Sequence, residues 1–259
     1  SGASELGQKV NFTVPTGNFG DVLAGFYAKL MGLPIHQLIA AANANHELAD
    51  FLETGIYDRN RPFLKTVAPS MDIQISSNLE RLLYYKSGED SSYVAKLMEE
   101  LATTGRYQVR PDVLAAIQAD FAGGFAADAQ IAASIAAVWK QNGYLLDPHT
   151  AVGYHVMQQY RETTGDSTPN VLLATASPYK FPRAVAQALD LPVTGDDFAV
   201  MTQLHQMSGV PIPANLARLA TLTAQPKHVV APDKMGQAII AAAKEVFNDD
   251  QRVRSGNQR

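Results

Sequence analysis

One segment near the start of the chain restricts the fold more than any other: VNFTVPTGNFGDVLAGFYAKLMGLPIHQLIAAA, residues 10–42. Residues 9–14 are typical of a strand, and the apolar spacing of residues 21–31 predicts a helix that ends at a glycine. The short apolar run over residues 34–42, which a proline opens, predicts a second, buried strand. Such a strand–helix–strand unit favours two parallel strands, and therefore an α/β fold.

The tetrapeptide GNFG, residues 17–20, lies between the first strand and the helix. It matches neither a Walker loop nor a dinucleotide fingerprint, because no Lys-Ser or Lys-Thr pair follows and no third glycine stands at the required offset. Two glycines let main-chain amides converge at the positive end of the following helix, which suits one phosphate group. A tight strand-to-helix turn that binds nothing is the alternative, and both interpretations stay open at this point.

Helices dominate the rest of the predicted structure. Further helices, each ended by a glycine, are predicted over residues 46–55, 76–88 and 147–165. Residues 93–142 have helical spacing throughout, which predicts a helical insertion, whereas residues 170–177 predict a third buried strand. Three strands are few for so many helices. Either weaker strands lie within residues 65–75, or part of the sheet lies outside this chain.

Composition argues against several classes of protein. The net charge of −4 provides no basic field that would attract nucleic acid or an anionic membrane surface. Cysteine is absent and the six histidines have no ligand spacing, so neither a disulfide framework nor a metal site is predicted. No signal peptide and no apolar run of roughly 18 residues is found, which predicts a cytoplasmic protein.

Four segments, in their order along the chain, resemble those of the threonine synthases, pyridoxal-phosphate enzymes of the tryptophan-synthase-β type. They are PTGNFGD (15–21), PSMDIQISSNLERLL (69–83), DPHTAVGY (147–154) and ATASPYKFP (174–182). The resemblance is to the longer form of enteric bacteria and fungi, and it covers most of residues 10–190. It implies fold type II of the pyridoxal-phosphate enzymes: a partly parallel α/β sheet with flanking helices and a helical insertion, here with an incomplete N-terminal part.

The resemblance also implies a domain organisation. Residues 1–85 and 145–195 are expected to form the large α/β domain that binds the cofactor. Residues 86–144 are expected to form the helical insertion, and residues 196–259 a C-terminal helical region.

The implied reaction is that of a lyase in threonine biosynthesis, which converts O-phosphohomoserine and water into threonine and phosphate with pyridoxal 5′-phosphate as cofactor. Four residues match the family's loop for the cofactor phosphate: Gly17, Asn18, Phe19 and Gly20. Thr175 matches the hydroxyl that faces the pyridine nitrogen. A hydroxyl there does not force the nitrogen to stay protonated, so it tunes how strongly the ring withdraws electrons.

The second segment is expected to recognise the substrate. Two hydroxyls, an amide and a guanidinium at the start of a helix suit a carboxylate or a phosphate. The residues are Ser76, Ser77, Asn78 and Arg81, and an ordinary helix cap is the alternative. His149 and Lys180 are further candidates for the site, but a core histidine and a surface lysine explain them equally well.

The reactive lysine is where the chain departs from the family. Family members attach their cofactor to a lysine in a segment that precedes the glycine turn, whereas only Lys9 precedes Gly17 here and no matching motif surrounds it. We therefore expect a C-terminal portion of such an enzyme, which has no catalytic residue of its own and is inactive without the N-terminal segment of the same enzyme.

Two other interpretations stay open. One is a different enzyme of the same fold, such as a serine or threonine dehydratase, although the PSMDIQISSNLER segment and the insertion argue against it. The other is a non-catalytic module that binds a phosphorylated metabolite or a partner chain.

Overall fold

The computed structural model of the protein describes residues 5–223 and 229–256. They fall into two compact units that divide between Ala217 and Arg218. The first unit contains all the strands that the structure describes, and the second is helical. No helix in the described part of the chain is both long enough and apolar enough to cross a membrane.

The strands are β1 (Val10–Pro15), β2 (Ile35–Ala42), β3 (Ile56–Asp58), β4 (Arg106–Gln108), β5 (Phe121–Phe125) and β6 (Asn170–Leu172). The helices are α1 (Gly20–Leu30), α2 (Glu47–Thr54), α3 (Leu79–Lys86), α4 (Ser91–Thr104), α5 (Pro111–Gln118), α6 (Asp128–Asn142), α7 (Pro148–Thr164), α8 (Pro182–Ala188), α9 (Asp197–Ser208), α10 (Ala214–Leu219) and α11 (Met235–Gly256). Single turns of 3-10 helix lie at Pro69–Met71, Pro178–Lys180 and Pro232–Lys234.

Four parallel strands form the main sheet, in the order β5-β2-β1-β6. Helix α1 connects β1 to β2, which confirms the predicted strand–helix–strand unit and the α/β fold. In β2, Leu38 and Ala40 enter the core on one face of the sheet, whereas Ile39 and Ala41 enter the core on the other. Burial on both faces explains why this strand is a continuous apolar run.

Strand β5 is the main departure from the predicted structure. It lies within residues 93–142, which were predicted to be helical throughout, and pairs with β2. The prediction of a wholly helical insertion is therefore wrong, and the boundaries 86–144 stay a prediction. The alternative of strands within residues 65–75 is also wrong, since the structure describes all of these residues and has only a 3-10 turn there.

The sequence of β5, FAGGF, has two adjacent glycines, which are more typical of a turn than of a strand. Helices packed on the two faces of the sheet explain them. A Cβ at Gly123 would lie 3.1 Å from the Ala49 Cα of α2, and a Cβ at Gly124 would lie 2.8 Å from Val156 Cγ1 of α7. Glycine is needed here for close helix packing.

A separate antiparallel pair, β3 and β4, lies outside the main sheet. Its central residues are Tyr57 and Tyr107, whose rings are stacked with centroids 5.4 Å apart and planes 7° apart. Both side chains are buried and also contact the ring of Phe51 in α2. This aromatic cluster attaches the pair to the main core.

The predicted C-terminal helical region, residues 196–259, is divided between the two units. Helix α9 belongs to the first unit, where Val200, Met201 and Leu204 are buried in its core. Helix α11 belongs to the second unit and exposes apolar side chains such as Ile239 and Ile240.

Candidate active site

The glycine turn follows β1 and leads directly into α1. Its third residue, Phe19, has a φ of 68°, a left-handed conformation that costs a residue with a side chain about 1–3 kcal/mol. The ring of Phe19 is fully buried, with its centroid 5.5 Å from that of Phe121. Core packing of this aromatic side chain therefore maintains a backbone conformation that is locally unfavourable.

The two glycines allow other groups to approach closely. A Cβ at Gly17 would lie 3.2 Å from Ile73 Cδ1 and 3.3 Å from Met71 Cα. A Cβ at Gly20 would lie 3.2 Å from Asn18 Oδ1. Larger residues at either position would require these neighbours to move.

Three main-chain amides of the turn are available to a ligand. The amides of Gly17, Asn18 and Phe19 make no hydrogen bond with any residue in the described ranges. The amide of Gly20, by contrast, donates to Asn18 Oδ1 at 3.1 Å. Free amides beside the N-terminus of a helix form a favourable environment for an anion.

A cavity of about 380 Å³ lies beside the turn. Each of the four motif segments contributes to its lining, although they are far apart in the sequence. The lining residues are Pro15, Gly17, Asn18, Asp21, Ser70, Met71, Ile73, His149, Thr175, Ala176 and Lys180. The Phe19 side chain is buried in the core, and neither Phe19 nor Gly20 is among the residues that line the cavity.

Thr175 reaches this cavity because β6 ends early. Strand β6 pairs in parallel with β1 up to Thr13↔Leu172, and the amide of Leu173 still donates to the carbonyl of Thr13. The chain then leaves the sheet, so the predicted strand over residues 170–177 is too long. Its predicted burial is also wrong, because β6 lies at the edge of the sheet and Val171 is exposed. Thr175 lies in an exposed loop at the same edge as the glycine turn, which is where open parallel sheets bind their ligands.

His149 is both a cavity residue and a buried one, so it satisfies both interpretations left open by the sequence. Its Nε2 accepts a hydrogen bond from the amide of Ser70 at 3.1 Å, and its Nδ1 lies 3.0 Å from Asp147 Oδ1. An Nε2 that accepts requires the proton to be on Nδ1, which donates to Asp147. His149 thus links the start of α7 to the turn at Pro69–Met71.

Ser76, Ser77, Asn78 and Arg81 do not line this cavity. The Ser76 hydroxyl donates to the carbonyl of Gly17 at 2.6 Å, and Asn78 donates to the carbonyl of Asn18. Ser77 is exposed, and Arg81 donates to Asn78 Oδ1 at 3.1 Å. Ser76 and Asn78 therefore lie behind the glycine turn, and the predicted recognition of substrate by these four residues stays a prediction.

A buried polar network that the sequence analysis missed holds the cavity wall formed by residues 70–73. The Asn43 side-chain amide donates to Asp72 Oδ1 at 2.7 Å, and the Asn45 side-chain amide donates to the carbonyl of Leu64 at 2.9 Å. The amide of Thr66 donates to Asp72 Oδ2 at 3.0 Å. The available signal was the pair of asparagines that directly follows the buried strand β2.

Lys180 supplies a cation to the cavity. Its side chain is exposed, and its Nζ lies 5.3 Å from the centroid of the Phe181 ring. Across the described ranges, no three histidine, aspartate or glutamate side chains are grouped so that they could hold a metal ion.

Residues 150–242 match the family model described as threonine synthase, C-terminal. The threonine synthase of Pseudomonas aeruginosa is 41% identical over 181 residues, which cover 70% of this chain and 38% of that protein. Human threonine synthase-like 1 is 38% identical over 191 residues, which cover 73% of this chain and 25% of that protein. The chain therefore spans less than half the length of these curated relatives.

The fold is also similar to that of a solved structure. The crystal structure of PLP-bound threonine synthase from Brucella melitensis has a TM-score of 0.71 and 43% sequence identity. The match covers 83% of this chain and 42% of that one. This likeness confirms the fold class that the sequence motifs implied.

Proposed function

We propose that this chain belongs to the threonine synthase family and forms the phosphate-binding part of a pyridoxal 5′-phosphate enzyme that makes threonine and phosphate from O-phosphohomoserine and water. One observation carries the proposal: all four motif segments meet at one cavity beside the glycine turn. The Brucella melitensis relative, described as PLP-bound, supports the same cofactor here.

The residues of the turn fit the phosphate of this cofactor. The free amides of Asn18 and Phe19 provide two donors, and the N-terminus of α1 provides a positive potential. Because Gly17 has no Cβ, Ile73 and Met71 of the cavity wall pack closely against the turn. Since the amide of Gly20 is engaged by Asn18, we assign to Gly20 the role of making room for that side chain.

We assign Thr175 to the pyridine nitrogen. When bound, the cofactor supplies an electron sink for chemistry at the substrate carbons. A neutral hydroxyl beside the nitrogen stabilises the protonated ring less than a carboxylate would, and so limits the strength of that sink. Lys180, the exposed cation of the cavity, suits the second anion that a phosphorylated substrate brings.

We also propose that this chain does not complete the reaction alone. Within the described ranges, Lys180 is the lysine of the cavity, and its motif is not the one that holds the reactive lysine in this family. The reactive amine is then contributed by the N-terminal segment of the same enzyme. The partial coverage of every relative named above is consistent with this division.

A binding experiment tests the cofactor site. The probe is 4′-deoxypyridoxine 5′-phosphate, which has the phosphate but no aldehyde, and calorimetry measures its affinity for the whole chain. Gly17→Ala is expected to weaken binding about tenfold, since the new Cβ must displace Ile73 or Met71. Gly236→Ala is the control, because no heavy atom lies within 4 Å of its Cβ position. Equal affinities for both variants would contradict the assignment of the turn.

A second experiment tests the reaction. Pyridoxal 5′-phosphate is added, the complex is reduced with borohydride, and any modified lysine is located by mass spectrometry. Weak, scattered labelling is expected for this chain, and phosphate release from O-phosphohomoserine is expected only after the N-terminal segment is added. Labelling of one specific lysine would show that the chain contains its own reactive amine. Binding without turnover in the complemented enzyme would favour a non-catalytic module.

A further inference from the structure

We infer that Ser76 and Asn78 are positioning residues, which aim the Asn18 and Phe19 amides of the glycine turn and thereby set its affinity for a phosphate group. The inference rests on the proposed function, since it concerns the same site. It starts from two carbonyls of the turn. The carbonyl of Gly17 accepts from Ser76 Oγ at 2.6 Å, and that of Asn18 accepts from the Asn78 amide at 3.1 Å and from Asn78 Nδ2 at 3.0 Å.

Because of peptide geometry, a contact that fixes a carbonyl also fixes the direction of the N–H in the same peptide group. A peptide group is planar and trans, so its carbonyl and its N–H point in opposite directions. The Gly17 carbonyl shares a peptide with the Asn18 N–H, and the Asn18 carbonyl shares one with the Phe19 N–H. Holding both carbonyls therefore turns both N–H groups away from Ser76 and Asn78, neither of which lines the cavity.

The restraint matters because this part of the backbone has alternatives. Gly17 tolerates many main-chain conformations, and Phe19 is in a left-handed one. Rotation of either peptide would replace a donor facing the anion with a carbonyl oxygen, which repels it. Ser76 and Asn78 stabilise the binding orientation before any ligand arrives, so less of the binding free energy is spent on reorganisation.

Ser76 is in turn held in place by a residue of β3, Tyr57. The amide of Ser76 donates to the Tyr57 hydroxyl at 2.9 Å, and that hydroxyl donates to the carbonyl of Gln74 at 3.0 Å. Burial raises the pKa of Tyr57, which keeps the phenol neutral and able to donate as well as accept. The stack of Tyr57 on Tyr107 thus extends the support of the turn to the β3–β4 pair.

The test compares neighbouring serines in the full 259-residue chain. Calorimetry measures the affinity for 4′-deoxypyridoxine 5′-phosphate and for 4′-deoxypyridoxine, which lacks the phosphate. Ser76→Ala and Asn78→Ala are each expected to lower the affinity for the phosphorylated probe about tenfold. The affinity for 4′-deoxypyridoxine is expected to stay unchanged in both variants. Ser77→Ala, at the exposed position between them, is expected to change neither, and Ser76→Thr is expected to restore most of the affinity.

Amide chemical shifts provide a readout that a general loss of stability does not mimic. Inorganic phosphate is expected to shift the Asn18 and Phe19 amide resonances of the unaltered chain, with a weaker response in the Ser76 and Asn78 variants. Asn78 is only half-buried, so Asn78→Ala decides the outcome if Ser76→Ala does not fold. Unchanged responses in the folded variants would overturn this inference alone. No response in the unaltered chain would overturn the proposed function, and this inference with it.

Discussion

The two loops at the carboxyl edge of the main sheet differ in how firmly they are held. In the turn after β1, Phe19 is fully buried and the carbonyls of Gly17 and Asn18 are hydrogen-bonded from behind. In the loop after β6, Ala174 and Thr175 are exposed, and the Thr175 hydroxyl has no partner in the described part of the chain. The comparison indicates that the proposed anion site is preorganised, whereas the loop after β6 is more adaptable. Fixed donors suit a phosphate, since they need no reorganisation when it binds.

The largest expected effect on stability concerns the turn after β1, which is the more firmly held of the two loops. Phe19→Ala removes a ring that is packed against Phe121, and we expect the free energy of unfolding to fall by about 3–5 kcal/mol. Chemical denaturation measures the change. Phe63→Ala is the control, since half of that side chain is exposed and its loss should cost less than half as much. Equal losses would mean that the Phe19 ring does not anchor the turn.

The next effect concerns the cap that holds His149. Asp147 is buried and accepts from the amides of His149 and Thr150, so Asp147→Ala leaves several donors unsatisfied and should cost about 2–3 kcal/mol. The exposed cap Asp196 accepts only from Ala199 within the described ranges, and Asp196→Ala should cost about 1 kcal/mol. Thermal unfolding of the two variants compares them directly, and a larger loss for Asp196→Ala would contradict the structural account.

A smaller effect is a pH dependence where β1 meets the start of β6. Burial raises the pKa of Asp166, but hydrogen bonds from Thr168, Asn11 and Tyr160 outweigh it and hold this pKa well below its usual range. A depressed pKa in the folded state contributes stability above the unfolded pKa of about 3.9, and this is lost as the pH falls further.

The Asp166 contribution is measured from denaturation curves at pH 6 and at successively lower values. Asp166→Asn should be less stable than the unaltered chain at pH 6, and the difference should shrink as the pH falls below the unfolded pKa. Asp112→Asn serves as the control at an exposed surface pair with Arg110. A constant difference for Asp166→Asn across the pH range would contradict the hydrogen-bonding account.

The smallest effect on stability is expected in the adaptable loop. Thr175→Ala should change the free energy of unfolding by less than about 0.5 kcal/mol, because the side chain is exposed. Thr175→Asp should instead raise the pKa of the ring nitrogen in bound 4′-deoxypyridoxine 5′-phosphate, since a carboxylate stabilises the protonated ring. Absorbance titration of the bound probe measures that pKa. An unchanged value would place Thr175 away from the ring.

The sequence and the structure agree where the determining interactions are local. The predicted unit over residues 9–42 is present with small shifts in its boundaries, because helix and strand periodicity and the terminal glycine act within a few residues. The helix predicted over residues 147–165 is also present as α7, which Asp147 caps through amides two and three residues away. Residues 17–20 and Thr175 were also selected from the sequence, but on the family resemblance of their motifs and not on any predicted geometry.

The sequence and the structure disagree where contacts between distant residues determine the local structure. The glycines of β5 suggest a turn until the packing of α2 and α7 is known. Residues 174–177 follow an apolar strand segment and are predicted to continue it, but they leave the sheet, because β6 pairs with β1 only as far as Leu172.

The sequence by itself determined the α/β class, the β1–α1–β2 unit and the residue types of a glycine turn that suits an anion, since each depends on periodicity or on conformational freedom within a short segment. Only the tertiary structure decided that Ser76 and Asn78 lie behind that turn and that His149 supports the cavity wall formed by residues 70–73. The physical reason is that these hydrogen bonds join groups 59–79 positions apart. Which distant donor meets which carbonyl is set by the packing of the whole unit around the sheet, and local propensities do not contain that information.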